Sequence, residues 1–126
     1  MQIARKVLVI EDDASVRATI LELLELEGLQ AISAENGWLG LQLAREEMPD
    51  LIISDINLPE LDGYGVLQVL RQDPETARIP FIVMTGDPTN LERFREQGLK
   101  ADDYLIKPVT INSLIEAIAV QLRKRV

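Results

Sequence analysis

The chain has 126 residues, a net charge of −8 and 47% apolar residues, and it contains neither cysteine nor histidine. These counts exclude disulfides, thiolate metal sites, imidazole-based acid–base catalysis and Ser-His-Asp triads. The length predicts one compact domain over residues 1–126, and the acidic charge disfavours direct binding to nucleic acid or anionic membranes.

The pattern of apolar residues also bears on location. Uninterrupted apolar runs are no longer than four residues, which is far short of a membrane-spanning helix. The run after Lys6 is likewise too short for the apolar core of a signal peptide. We therefore expect a cytoplasmic protein that makes no membrane contact.

Apolar β-rich runs alternate with segments of helical periodicity, which is typical of repeated βα units. The predicted strands are Lys6–Glu11, Leu29–Ala34, Asp50–Asp55, Pro80–Thr85 and Asp103–Ile106. The predicted helices run from Asp13 to Glu27, from Gly37 to Glu47, from Gly63 to Gln72, from Asp87-Pro88 onward, and from Ile111 to Lys124. The pattern predicts an α/β fold with a doubly wound, five-stranded parallel sheet, (βα)5.

The second predicted strand is weakly apolar and is not followed by any of the polar residues that end the other strands. It is therefore predicted as an edge strand beside the first, in the order 2-1-3-4-5, a common order for doubly wound sheets. Gly28 is predicted to end the first helix and Gly98 the fourth, so the fourth helix is expected to be short.

Polar side chains follow the other four strands where each strand ends. Asp12 and Asp13 follow the first strand, Asp55 ends the third, Thr85 ends the fourth, and Lys107 follows the fifth. Because ligands bind at the carboxyl ends of parallel strands, we expect these groups to meet. Each has a simpler interpretation alone, such as a helix cap for Asp13 or a surface position for Lys107, but agreement among four strand ends favours a site.

Carboxylates placed together repel one another unless a cation neutralises them. With no thiolate or imidazole present, oxygen ligands favour Mg²⁺, with Mn²⁺ as a possible substitute. A dication and an ammonium beside a carboxylate indicate a phosphate-accepting aspartate.

The pattern resembles the response regulator receiver family, which has the CheY-like, flavodoxin-like fold, over essentially the whole chain. The motifs that carry the resemblance are Val9–Asp13, Asp55–Gly63, Thr85-Gly86 and Ala101–Pro108.

The resemblance implies a role for each matching position of the site. Asp55 would be the phosphoacceptor, and Lys107 would pair with the phosphoryl oxygens. Asp13 and Asp55 would bind Mg²⁺ through their carboxylates, Asp12 partly through water, and Asn57 through its backbone carbonyl.

Further positions would have switching or structural roles. Thr85 would hydrogen-bond the phosphoryl group and Tyr104 would change rotamer with it. Pro59, Gly63 and Pro108 would be structural, with a cis bond before Pro108.

The resemblance also implies partners within a two-component phosphorelay. The donor would be a phosphohistidine on a sensor histidine kinase or a phosphotransfer protein. The output would be a shift in the surface formed by helix four, strand five and helix five, which a downstream protein or output domain reads. Phosphorylation and its reversal would be self-catalysed, so the chain is not expected to be an enzyme.

Two local features depart from this picture or extend it. Gly86 stands where the family usually has alanine, and it is expected to loosen its loop and shorten the lifetime of the phosphoryl group.

Trp38, Leu39 and Leu43 form a second apolar set on helix two. Neighbouring loops could shield it, or it could be a docking or homodimer surface.

Two other functions remain as alternatives. A phosphohydrolase of the haloacid dehalogenase type also uses an aspartate nucleophile, but it needs a second carboxylate where this chain has Asn57. A receiver-like interaction module that is never phosphorylated would not need the full set of acidic residues, Thr85 and Lys107.

Overall fold

A computed structural model describes residues 4–123, with the side chains of residues 93–95 outside the description. Five strands alternate with five helices in this range. The strands are β1 (Lys6–Ile10), β2 (Gln30–Ala34), β3 (Leu51–Asp55), β4 (Phe81–Thr85) and β5 (Asp103–Ile106). The helices are α1 (Ala14–Leu26), α2 (Gly37–Glu47), α3 (Gly63–Gln72), α4 (Thr89–Glu96) and α5 (Ile111–Arg123). These bounds confirm the predicted elements, although the predicted end of α5 at Lys124 lies outside the described residues.

The five strands form one parallel sheet in the order β2-β1-β3-β4-β5, which confirms the predicted order. The register places Ile10 beside Ser54 and Asp55 beside Met84. Thr85 lies beside Ile106 on the next strand. The carboxyl ends of β1, β3, β4 and β5 therefore meet along one edge of the sheet.

Side chains that alternate along the strands divide the core into two layers. Leu8, Ile10, Ile52, Phe81 and Val83 pack with residues of α2 and α3 on one face. Val7, Val9, Ile53, Ile82 and Met84 pack with residues of α1 and α5 on the other. Burial on both faces explains why the central strands are nearly continuous apolar runs, and it leaves their polar ends as the groups at the rim.

Helix ends are set by residues of the expected types. The side chains of Asp13, Asn36 and Asp62 accept backbone hydrogen bonds at the starts of α1, α2 and α3. Gly28 and Gly98 adopt φ values of +79° and +73° just past α1 and α4. Both predicted helix ends are confirmed, and α4 is short, with 8 residues.

The apolar set on α2 is divided between the core and solvent. Leu39 and Leu43 are half-buried and pack against the core, whereas Trp38 is 58% exposed. Shielding by the core therefore accounts for two of the three residues. Separately, among the described helices none has the length and apolar character needed to cross a membrane.

Candidate functional site

Three acidic residues meet at the carboxyl edge of the sheet. Glu11 follows β1, Asp12 comes next, and Asp55 is the last residue of β3. Each offers one carboxylate oxygen, and these three oxygens lie within 4.8 Å of one another. Glu11 is fully buried and Asp55 is 5% exposed, whereas Asp12 is open to solvent. The group therefore has two carboxylates fixed inside the protein and one at its mouth.

Lys107 bridges the two buried carboxylates. Its Nζ donates to Oε1 of Glu11 at 2.6 Å and to Oδ2 of Asp55 at 2.8 Å. The lysine lies directly after β5, and its peptide bond to Pro108 is cis. The ammonium thus stands beside one oxygen of Asp55 and leaves the negative charges of the acidic group only partly balanced.

Burial and the neighbouring charges have opposing effects on the pKa values of Glu11 and Lys107. Burial raises the pKa of Glu11 above its usual 4.5; the hydrogen bond from Lys107 opposes this and the charge of Asp55 adds to it. For Lys107, burial alone would lower the pKa. The hydrogen bonds to Asp55 and Glu11 outweigh that effect, so the lysine pKa lies above its usual 10.5. Lys107 is therefore a fixed positive charge near neutral pH.

Asp13 does not join the acidic group. Its Oδ1 accepts hydrogen bonds from the backbone N–H groups of Ser15 and Val16 at 2.9 and 3.1 Å, which caps α1. The geometry does not support its predicted role as a metal ligand, because its carboxylate is engaged at the helix terminus. Glu11 takes the corresponding place in the group.

The loop after β3 packs tightly against Asp55. The backbone N–H of Asn57 donates to Oδ1 of Asp55 at 3.1 Å, and the N–H of Gly63 donates to the carbonyl of Ile56 at 3.0 Å. A Cβ atom on Gly63 would lie 2.4 Å from the carbonyl oxygen of Asp55. Only glycine permits this approach, so Gly63 helps fix the backbone that carries Asp55. Pro59 is exposed on the same loop.

Thr85 ends β4 and Tyr104 lies on β5, and the hydrogen bonds of their hydroxyls are with residues outside the acidic group. The Thr85 hydroxyl is fully buried and donates to the carbonyl of Asp87 at 3.1 Å. The half-buried Tyr104 accepts a hydrogen bond at its hydroxyl from the N–H of Ala101, at 3.3 Å. The hydroxyls of both predicted switch residues are therefore engaged by residues other than Asp55.

The sequence contained a signal for Glu11 that the prediction did not use. The chain after β1 reads Glu11-Asp12-Asp13, and only the last of the three directly precedes the helix. A carboxylate that caps a helix has an oxygen committed to backbone N–H groups. The pair at the sheet edge is therefore Glu11 and Asp12.

The acidic group has the donor chemistry of a magnesium site. Its ligand atoms are carboxylate oxygens, which Mg²⁺ prefers, and Asp12 at the exposed mouth leaves room for water ligands. A dication would also offset repulsion among three nearby carboxylates. The residues present therefore fit Mg²⁺.

Comparisons with known proteins agree with this geometry. The family model of the response regulator receiver domain matches residues 7–119. A probable transcriptional regulator, ycf27 of Guillardia theta, is 36% identical over 98% of this chain and 48% of its own length. The chain thus spans about half the length of that relative. Protein PilH of Pseudomonas aeruginosa is 34% identical, with 90% of this chain and 93% of PilH covered.

Solved structures give the same result. The receiver domain of a Pseudomonas aeruginosa sensor histidine kinase superposes with a TM-score of 0.85 at 25% identity, over 96% of this chain and 99% of that chain. In that protein a magnesium ion is coordinated in the active site cleft.

Proposed function

Because this chain belongs to the response regulator receiver family, we propose that Asp55 accepts a phosphoryl group in the presence of Mg²⁺ and that its modification switches a binding surface. One observation carries the proposal. The Asp55 carboxylate, 5% exposed, lies in a group of three acidic residues with the Lys107 ammonium 2.8 Å from its Oδ2.

Asp12, Asp55 and the backbone carbonyl of Asn57 would hold the metal. Asp12 is suited to this role because it is exposed at the mouth of the group, whereas the side chain of its neighbour Asp13 caps α1. Glu11 is held by Lys107, so it contributes negative charge and orients the amine. When bound, Mg²⁺ supplies positive charge that stabilises the phosphoryl oxygens.

Asp55 is the nucleophile in the proposed step. A carboxylate oxygen of Asp55 forms a bond to phosphorus while the bond from phosphorus to the donor nitrogen breaks, and the electron pair returns to the donor imidazole. Lys107 stands where it can pair with a phosphoryl oxygen, since its amine already contacts Oδ2. The backbone N–H of Asn57 orients the other carboxylate oxygen.

The proposed donor is a phosphohistidine on a sensor histidine kinase or phosphotransfer protein. The 126 residues contain no histidine, so a phosphoimidazole would have to come from outside this segment. Because the acceptor sits at an open edge of the sheet, such a donor could approach from the side of Asp12 without crossing the core.

The proposed output is the surface formed by α4, β5 and α5. A phosphoryl group adds nearly two negative charges and strong hydrogen-bond acceptors, which would attract the Thr85 hydroxyl. Tyr104 lies on β5 beside Val83 of β4, two residues before Thr85. Movement at the end of β4 would therefore change the packing around Tyr104 and shift the population of this surface.

Incubation with acetyl phosphate and Mg²⁺, followed by intact-mass and peptide mass spectrometry, tests the proposal. The expected result is one added HPO3 unit on the peptide containing Asp55, lost in Asp55→Asn and on metal chelation. Asp13→Asn is the matched control, since it removes a nearby charge and keeps a good helix cap. An unmodified wild-type chain would instead favour an interaction module that works without phosphorylation.

A further inference from the structure

Asn90 connects α4 to the end of β4 and to the loop after β3. Its Nδ2 donates to Oγ1 of Thr85 at 3.4 Å and to Oδ1 of Asn57 at 3.5 Å. We propose that Asn90 is a positioning residue that holds the Thr85 hydroxyl away from Asp55 until phosphorylation, so that it sets the equilibrium between the two forms. This inference rests on the proposed function of Asp55.

The Thr85 hydroxyl already has a full set of hydrogen bonds. It donates to the carbonyl of Asp87 and accepts from the N–H of Asp87, both at 3.1 Å, and it accepts from Asn90. A hydroxyl has one donor and two acceptor positions. Thr85 is also fully buried, so losing a hydrogen-bond partner would cost free energy because water cannot freely take its place. Donating to a phosphoryl group on Asp55 would break the bond to the Asp87 carbonyl, and moving the side chain towards Asp55 would also break the bond accepted from Asn90.

Asn90 is the residue through which α4 contacts the Thr85 hydroxyl. Asp87 belongs to the same loop as Thr85 and can move with it, whereas Asn90 lies within α4 (Thr89–Glu96). Its second contact, to Asn57, reaches the loop that follows Asp55. Asn90 thus links the Thr85 hydroxyl to α4 and to the loop that follows Asp55.

Space beside Asn90 allows its amide to be released. A polar cavity of about 30 Å³ adjoins the amide and is large enough for one water molecule. Its lining residues are Ile56, Asn57, Asp62, Tyr64, Asn90 and Gln97. After Thr85 turns away, water in this cavity can satisfy the amide, so the contact opposes the switch without preventing it.

Removing the Asn90 amide should therefore favour the phosphorylated form. The expected effect in Asn90→Ala is a dissociation constant for beryllofluoride, a phosphoryl analogue, that is about 2- to 5-fold lower than in the wild type with saturating Mg²⁺. A change in affinity of this size corresponds to the lower part of the free-energy range for one neutral hydrogen bond. Titration followed by ¹⁹F NMR of bound beryllofluoride measures it. Glu92→Gln, at an exposed position of the same helix, is the control and should leave the constant unchanged.

A double-mutant cycle separates this role from a general effect on α4. Thr85→Val keeps the shape of the side chain and removes the hydroxyl, so Asn90→Ala should have no effect on beryllofluoride affinity in that background. Equal effects in both backgrounds, or unchanged or weaker binding in Asn90→Ala alone, would overturn the positioning role. A wild-type chain that binds Mg²⁺ but no beryllofluoride would overturn the proposed function itself, and this inference with it.

Discussion

The amine of Lys107 lies 2.6 Å from the carboxylate of Glu11, although the two residues are 96 positions apart in the chain. This contact joins the end of β5 to the end of β1 across β3 and β4 in the sheet order. It also directs the same amine at Asp55, 2.8 Å away. The pair therefore does two things: it neutralises a buried carboxylate and it aims a cation at the acceptor.

Replacing Lys107 by Met should destabilise the metal-free protein. The Glu11 side chain is 0% exposed and would lose the cation that offsets the cost of its burial. Breaking a buried ion pair from one side typically costs about 3 kcal/mol or more. Urea unfolding with a chelator present measures the loss. Adding Glu11→Gln should recover part of it, because the stranded charge is gone; a double variant less stable than Lys107→Met would contradict this explanation.

The same ion pair predicts a particular response to alkaline pH. The pKa of Lys107 is raised above 10.5 in the folded chain. Its contribution to stability is therefore complete below pH 10.5 and is lost as the pH rises through the folded-state pKa. The difference in unfolding free energy between wild type and Lys107→Met should be constant up to about pH 10 and then shrink. A difference that grows in this range would be incompatible with a raised lysine pKa.

Asp12→Asn and Asp13→Asn should differ in their effect on Mg²⁺ binding. Asp12→Asn is expected to weaken Mg²⁺ binding at least about 10-fold, since it removes the charge of a proposed ligand. Asp13→Asn should bind Mg²⁺ as the wild type does, because Asp13 lies at the cap of α1. The Mg²⁺-dependent rise in the thermal unfolding midpoint reports both affinities.

The capping role of Asp13 supplies the matching control. Asp13→Ala should lower the unfolding free energy by about 1 kcal/mol through loss of the cap, whereas Asp13→Asn should be nearly neutral. If Asp13→Asn weakened Mg²⁺ more than Asp12→Asn did, Asp13 would be restored as the ligand that sequence resemblance implies.

Met48 is expected to be a site where glycine is stabilising. It ends α2 with φ 44° and ψ 62°, a left-handed conformation that disfavours side chains with a Cβ atom. Met48 is 48% exposed, so about half of it is buried, and Met48→Ala removes nearly the same apolar burial as Met48→Gly. Met48→Gly should raise the unfolding free energy by about 0.5 kcal/mol. Met48→Ala, which keeps the Cβ, should show no such gain in the same urea titration.

Gly86→Ala should lengthen the lifetime of the phosphoryl group. A Cβ atom on Gly86 would meet nothing within 4 Å, so alanine fits without displacing a neighbour. Alanine also restricts the backbone beside Thr85, which should stiffen the loop and limit the approach of water. The rate of phosphate loss from the modified chain, measured after removing the donor, should fall. An unchanged or faster rate would show that the loop does not control access.

The fold could be predicted from the sequence because its main signals are local. Runs such as Val7–Ile10 and Phe81–Met84 are apolar enough to require burial on both faces, and Gly28 and Gly98 mark helix ends by their backbone freedom. Asp55 and Lys107 could be predicted as neighbours because both stand at the carboxyl ends of strands.

Other features of the site depend on choices that sequence spacing leaves open. Three consecutive acidic residues follow β1, and which of them turns inward is decided by where α1 begins. The partners of Thr85 could not be predicted either. Its hydroxyl is engaged by Asp87 and Asn90, and that depends on the path of a loop and on the first turn of α4.

The ion pair between the first and last strands also bears on when the chain can be modified. The proposed acceptor is at position 55, but the amine beside it belongs to residue 107 of 126, directly after the last strand of the sheet. A partly folded molecule that lacks β5 would present the aspartate without its neutralising neighbour. Under the proposed function, phosphoryl acceptance would therefore require the folded domain with β5 in place, and incompletely folded chains would not be modified.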